Sequence, residues 1–231
     1  MQKISKPSLE EIHQAIIVRD KKDAEIDKEN RSKLVKNGLK IIQPKKIIKI
    51  NTGEVIGVPN VVNLIKKEVV LDDRIISVEG ESGCGKSSTA EALSEVIGAI
   101  LFSMGELFRY LTYVRLLNHD FEIDEELTGL EYRIIEDKLC LHKGSQNISN
   151  DLGAELHNHQ IDLEVANTAS KSQLEVIKYM SVNIPNLAKQ SQKKIVLEGR
   201  AFTLDFLPCD LRVVLFADVR VRAERRLKQE R

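Results

Sequence analysis

Residues 75–89 read IISVEGESGCGKSST, and no other stretch restricts the folding of this chain as tightly. Gly80, Gly83 and Gly85, with Lys86 and Ser87, fit the spacing G-x-x-x-x-G-K-[ST], written here GESGCGKS. Residues 74–79 (RIISVE) before it form a short β-branched run, as a buried parallel strand does. After it, SSTAEALSEVIGA spaces Ala90, Leu93, Val96 and Ile97 as a helix does. Strand, glycine loop and helix are the setting in which backbone N–H groups converge on a phosphate and a helix N-terminus adds its dipole. The pattern therefore predicts that Gly80, Glu81, Ser82, Gly83, Cys84, Gly85, Lys86, Ser87 and Ser88 hold a nucleoside triphosphate. Lys86 would bridge the β- and γ-phosphates, and the Ser87 hydroxyl would ligate Mg²⁺. A glycine-rich turn with a chance lysine accounts for the loop alone and not for its flanks.

The 231 residues, 42% of them hydrophobic and 30% charged, suffice for one or two domains with a sizeable core. No apolar run reaches the length of a membrane span, and MQKISKPSLEE lacks the apolar core of a secretion signal. Cys84, Cys140 and Cys209 are an odd, scattered set without C-x-x-C spacing, so reduced thiols and a cytoplasmic location are expected. Cys84 is allowed redox sensitivity and no catalytic role. The formal net charge of zero conceals an asymmetry. Residues 1–70 hold 15 Lys and Arg against 9 Asp and Glu, and the remainder 20 against 26, so +6 balances −6. A basic leader touches nucleic acid or an acidic protein partner, or is simply a solvated face. Interleaved acids and the lack of aromatic residues favour the solvated face, with a protein partner next and nucleic acid last.

Ser8-Leu9-Glu10-Glu11 is a capping-box pattern opening a charged helix towards Lys36, which Asn37-Gly38 ends. KKIIKINTGEVIGV reads as a hairpin, residues 47–50 and 54–58 around Asn51-Thr52-Gly53, and NVVNLIKKEV as a short helix. Residues 1–70 are thus expected to be a separable extension, charged helix plus hairpin, on a domain at 71–231. Downstream, residues 100–102 are a strand candidate, and a helix with Leu107, Phe108, Leu111 and Val114 starts at Gly105. Residues 120–124 make a polar break, and short strands are expected around Lys143-Gly144-Ser145. EVANTASKSQLEVIKYM is helical, KKIVLEGR a strand, residues 213–216 another strand, and a basic helix closes the chain. Helices alternating with buried strands give the α/β class, a parallel sheet with helices on both faces and ligands at the carboxyl ends of its strands.

ISVEGESGCGKSSTAEALSEVIG, FSMGELFRYLT and VLEGRAFTLDFLPCDLRVVLFADVRVRAERR resemble the cytidylate kinases, P-loop nucleoside monophosphate kinases, in order and spacing. EVANTAS looks like the matching helix of that family. The likeness covers roughly 74–231 and leaves residues 1–70 without a counterpart. It implies a P-loop NTPase fold with a five-stranded parallel core, a monophosphate-binding insert at about 113–192 and a mobile lid. It also implies Mg²⁺-dependent transfer of the ATP γ-phosphoryl group to CMP or dCMP. Arg109 falls on the arginine of the family's D-[ST]-G-x-x-[YF]-R, and Arg200 on that of G-R-D. Both are thereby implied to grip the acceptor phosphate and, with Lys86, to be catalytic. A fixed guanidinium fork suits a phosphate dianion better than a lysine does.

Departures from the family pattern bear on the acceptor. The aspartate of G-R-D, associated with reading cytosine, is Ala201, and the Asp-[Ser/Thr]-Gly triplet reads Ser103-Met104-Gly105. Ser103 remains as a polar substrate contact, and Lys178 stands near a position where the family has arginine. The arginine before EVANTAS is missing, since that stretch reads HNHQIDL. The chain stops in the helix that leads to the family's lid, so the arginine-rich lid and last strand are expected to be absent, with Arg225 and Arg226 at the start of that region. His157 and His159 near Asp162, and the isolated His119 and His142, are assigned no chemistry. Three readings stay open: a kinase for CMP or dCMP, a P-loop kinase for another small acceptor, and a non-catalytic ATP-binding module.

Overall fold

The computed structural model describes residues 7–118 and 120–229; His119 lies outside them. Helix α1 (Leu9–Lys36) begins with the predicted capping box. The Glu11 N–H donates to the Ser8 hydroxyl at 3.2 Å, and the Ser8 N–H donates to the Glu11 carboxylate at 2.7 Å. Strand β1 (Lys46–Asn51) and helix α2 (Val58–Glu68) follow. Strand β2 (Ile75–Gly80) runs into the glycine loop and helix α3 (Lys86–Ile97), and β3 (Ile100–Ser103) runs directly into α4 (Met104–Leu117).

After α5 (Ile123–Thr128), strands β4 (Leu130–Ile135) and β5 (Lys138–Lys143) form an antiparallel hairpin. Its turn residues, Glu136 and Asp137, both take left-handed φ, 50° and 65°, as a two-residue connection between twisted strands requires. Strand β6 (Gln146–Asn147) folds back on β5 across the turn expected at Gly144. Two single-turn helices, α6 (Ile148–Asp151) and α7 (Gly153–Leu156), lead into α8 (His159–Ser191), whose 33 residues continue through Pro185. The chain then makes β7 (Ile195–Glu198), α9 (Ala201–Leu204), β8 (Leu211–Phe216) and α10 (Val219–Gln229).

The main sheet has the order β1-β8-β2-β7-β3, and every pairing in it is parallel. Its strands alternate between two apolar layers. Ile76, Val78, Val196, Val213 and Leu215 pack with Val61, Val62 and Ile65 of α2 and with Ala90 and Leu93 of α3. Ile75, Ile195 and Leu197 turn the other way, against Leu107 and Leu111 of α4 and Val176, Met180 and Ile184 of α8. Both faces are covered, as an all-parallel sheet requires. This is the α/β fold of the P-loop NTPases, with the three-stranded β4-β5-β6 sheet as a separate unit between β3 and β7.

The hairpin expected around Asn51-Thr52-Gly53 is not formed. Strand β1 instead pairs residue for residue with β8, from Lys46 opposite Leu211 to Asn51 opposite Phe216. The chain then turns back on the Asn51 carbonyl, which accepts from the N–H groups of Glu54 and Val55, and enters α2. Burial decides between the two. An isolated two-stranded hairpin would leave Ile48 and Ile50 in water, whereas beside β8 they join the layer under α2. The sheet therefore crosses the boundary expected between residues 70 and 71. Helix α1 seats Ile12 and Ile16 on Ala223 of α10. Among the described residues, no helix is long and apolar enough to cross a membrane.

Candidate functional site

Three glycines shape the loop between β2 and α3. Gly83 and Gly85 both have φ 87°, which other residues rarely adopt. A Cβ on Gly80 would lie 2.4 Å from the Leu215 carbonyl oxygen, so β8 packs against the loop as closely as glycine permits. The loop opens into a cavity of about 960 Å³. Gly80, Glu81, Ser82, Gly83, Gly85, Lys86, Ser87 and Ser88 form one side of it, Arg200 and Ala201 another, and α1, α10 and the end of β8 supply most of the rest. Cys84 alone of the predicted loop residues turns inward: it is fully buried, and its thiol donates to the Glu81 carbonyl. Burial pushes this thiol above its ordinary pKa, so it is protonated and covered, the opposite of a redox-sensitive cysteine.

Lys86 is paired with Glu198, the last residue of β7. The same carboxylate accepts from the Ser87 hydroxyl at 3.2 Å and from the Ser103 hydroxyl at 3.1 Å. Strand register produces this convergence, since Glu198 lies opposite Val78 on β2 and Ser103 on β3. Glu198 stands in the strand KKIVLEGR without a role assigned from sequence; its one local signal is a carboxylate ending the apolar run IVL. A serine hydroxyl and a carboxylate side by side at the loop are the hard oxygen donors that Mg²⁺ takes, so the residues present fit the ion.

The two arginines assigned to the acceptor have different surroundings. Arg109 donates to the Leu156 carbonyl at 2.9 Å and pairs with Asp162 at 2.7 Å, held between α4 and the start of α8. Arg200 lies in the cavity wall, where its Nη2 contacts Asp23 at 3.3 Å and Asp27 at 3.0 Å, both on α1. Burial raises the Asp27 pKa although Arg200 works against the shift. Lys178 is exposed on α8. His157 caps α7, and His159 opens α8. Among the described residues, no group of three or more His, Cys, Asp or Glu side chains is placed to hold a metal ion.

Two arginines of α10 touch the loop. Arg222, almost fully buried, pairs with Glu81 at 3.0 Å and with Asp20 of α1 at 2.7 Å. Arg225 donates to the Gly83 carbonyl at 3.1 Å and to the Thr52 hydroxyl at 3.0 Å. Arg226 lines the cavity.

A family model described as cytidylate kinase matches residues 76–231. The chain belongs to the cytidylate kinase family. Among its relatives, a "Cytidylate kinase" of Mesomycoplasma hyopneumoniae (strain 232) is 28% identical over 167 residues, covering 67% of this chain and 66% of the relative. A "Cytidylate kinase 1" of Borrelia garinii subsp. bavariensis is 29% identical over 161 residues, covering 67% and 71%. A "Cytidylate kinase" of Borrelia hermsii (strain HS1 / DAH) is 30% identical over 161 residues, covering 67% and 72%. This cytidylate kinase family member thus spans about two thirds of the length of the curated relatives it matches.

Proposed function

We propose that this chain transfers the γ-phosphoryl group of ATP to a nucleoside monophosphate, CMP or dCMP before others. One observation carries the reading: Lys86 and Ser87, both bonded to Glu198, line one cavity with Arg200, and it is large enough for nucleotides. Phosphoryl transfer demands positioning and charge neutralisation more than covalent chemistry. Lys86 exchanges Glu198 for the β- and γ-phosphates. Ser87 and Glu198 would hold Mg²⁺, which would supply neutralisation of the phosphate charge. Arg200 and Arg109 hold the acceptor phosphate, an oxygen of which attacks the γ-phosphorus while ADP leaves. Arg109 must give up Asp162 to take part. A second acceptor class is favoured by one feature: Ala201, in the cavity wall, presents a methyl group where the family reads cytosine with a carboxylate.

The test follows ADP release from ATP–Mg²⁺ with CMP, dCMP, UMP and AMP in turn. Turnover is expected with CMP, with weak preference over UMP. Lys86→Ala should lose ATP binding, while Arg200→Ala should raise the acceptor KM about tenfold, roughly 1.4 kcal/mol, at nearly unchanged ATP affinity. No ADP release with any monophosphate would leave an ATP-binding module in place of a kinase.

A further inference from the structure

Thr52 belongs to the leader, yet it lies against the phosphate loop. The sheet explains how. Ile50 on β1 is opposite Leu215 on β8, and Leu215 is opposite Gly80 on β2, so the carboxyl ends of three strands stand level. Thr52, two residues beyond Ile50, is carried to the outer side of the loop and is almost fully buried there. Its hydroxyl donates to the Cys84 carbonyl at 3.0 Å and accepts from Arg225 Nη1 at 3.0 Å. The same Arg225 nitrogen donates to the Gly83 carbonyl, and Nη2 donates to the Thr52 carbonyl. Two successive loop carbonyls are thus held from behind by one threonine and one arginine.

Peptide planarity converts this into an effect on the ligand side. In a trans peptide the C=O and the N–H of the next residue point in opposite directions. Pinning the Gly83 carbonyl therefore fixes the Cys84 N–H, which donates within the loop to the Glu81 carbonyl. Pinning the Cys84 carbonyl fixes the Gly85 N–H, at the entry to α3, where phosphate oxygens are held. At φ 87° and with no side chain, Gly85 adds no contact of its own to keep that plane oriented.

We propose that Thr52 is a positioning residue of the phosphate loop, which through the Cys84 carbonyl and Arg225 aims the Gly85 N–H at the bound triphosphate. The ligand class is a nucleoside triphosphate, and in this respect the inference rests on the function proposed above. Thr52 does not touch the nucleotide. Through it the end of β1 is tied to the phosphate loop.

Thr52→Val keeps the branched shape and removes the hydroxyl. The full chain carrying it should show amide hydrogen exchange over residues 82–86 accelerated several-fold. Its KM for ATP–Mg²⁺ should rise about tenfold, with kcat at saturating ATP and the acceptor KM within about twofold of native. Thr52→Ser should restore both readouts, which a loss of packing alone would not predict. If Thr52→Val does not fold, Arg225→Lys breaks the same bridge from α10 and should give the same pair of changes. Native exchange rates at 82–86 in the Val variant, or an unchanged KM for ATP with faster exchange, would overturn the proposal. If the native chain neither binds nor turns over ATP, the kinase reading fails, and the exchange arm still decides whether Thr52 orders the loop.

Discussion

Asp210, between α9 and β8, is fixed from several sides. Its Oδ2 accepts from the N–H groups of Arg74 at 2.7 Å and Ile75 at 2.9 Å, and its Oδ1 takes Lys45 at 2.7 Å. Burial alone would raise its pKa, but the Lys45 ammonium and the two N–H groups outweigh burial and hold it below the ordinary carboxylate value. A lowered folded-state pKa means stability that is present above the unfolded value near 3.9 and lost as pH falls through the folded one. Asp210→Asn should therefore cost about 2 kcal/mol at neutral pH, the worth of hydrogen bonds to a charged acceptor. In urea denaturation the gap between native chain and variant should narrow as the pH falls below the unfolded value and through the lowered folded one. A gap independent of pH would mean that the carboxylate charge is not what matters at this corner.

The segment of β1 and α2 is where sequence and structure part. Ile50, Val61, Val62 and Ile65 are all buried in the layer over β2 and β8. At about 1.5–3 kcal/mol for each aliphatic side chain, the four together are worth roughly 6–12 kcal/mol, comparable to the whole net stability of a domain. A chain of residues 71–231 is consequently expected to lack cooperative unfolding and dispersed amide resonances. A well-folded, ATP-binding 71–231 chain would show that β1 and α2 are dispensable. The loop, its strand and its helix were legible because local spacing determines them. The partner of β1 was not, since KIIKI followed by Asn-Thr-Gly satisfies a local hairpin as well as a remote pairing, and the bond from Thr52 to Phe216 spans 164 residues. Thr52 was hidden for the same reason. Glu198 was visible as a letter, but its three donors come from two distant segments, residues 86–87 and Ser103, that only strand register brings to the end of β7. The charge pattern of α1 suggests a solvated face, but its apolar residues meet α10, and Asp20, Asp23 and Asp27 meet arginines at the cavity.

At the scale of the whole molecule, the cavity draws on the leader, the loop, the β7–α9 junction and α10, so a ligand there ties distant parts of the chain together. ATP–Mg²⁺ at a hundred times its Kd should stabilise the native state by about 2.7 kcal/mol, raising Tm by about 5–10 °C for a chain of this size. Lys86→Ala should abolish the shift seen by calorimetry. A shift retained in that variant would place nucleotide binding elsewhere. The parallel pairing of β1 with β8 also has a consequence during synthesis. The strand that leaves the ribosome early has to wait for a partner 164 residues behind it, about ten to thirty seconds at ordinary elongation rates. Until then KIIKIN is an unclaimed sticky edge, and its lysines at 46 and 49, with Lys45 just before it, are the charges that keep nascent neighbours from claiming it first.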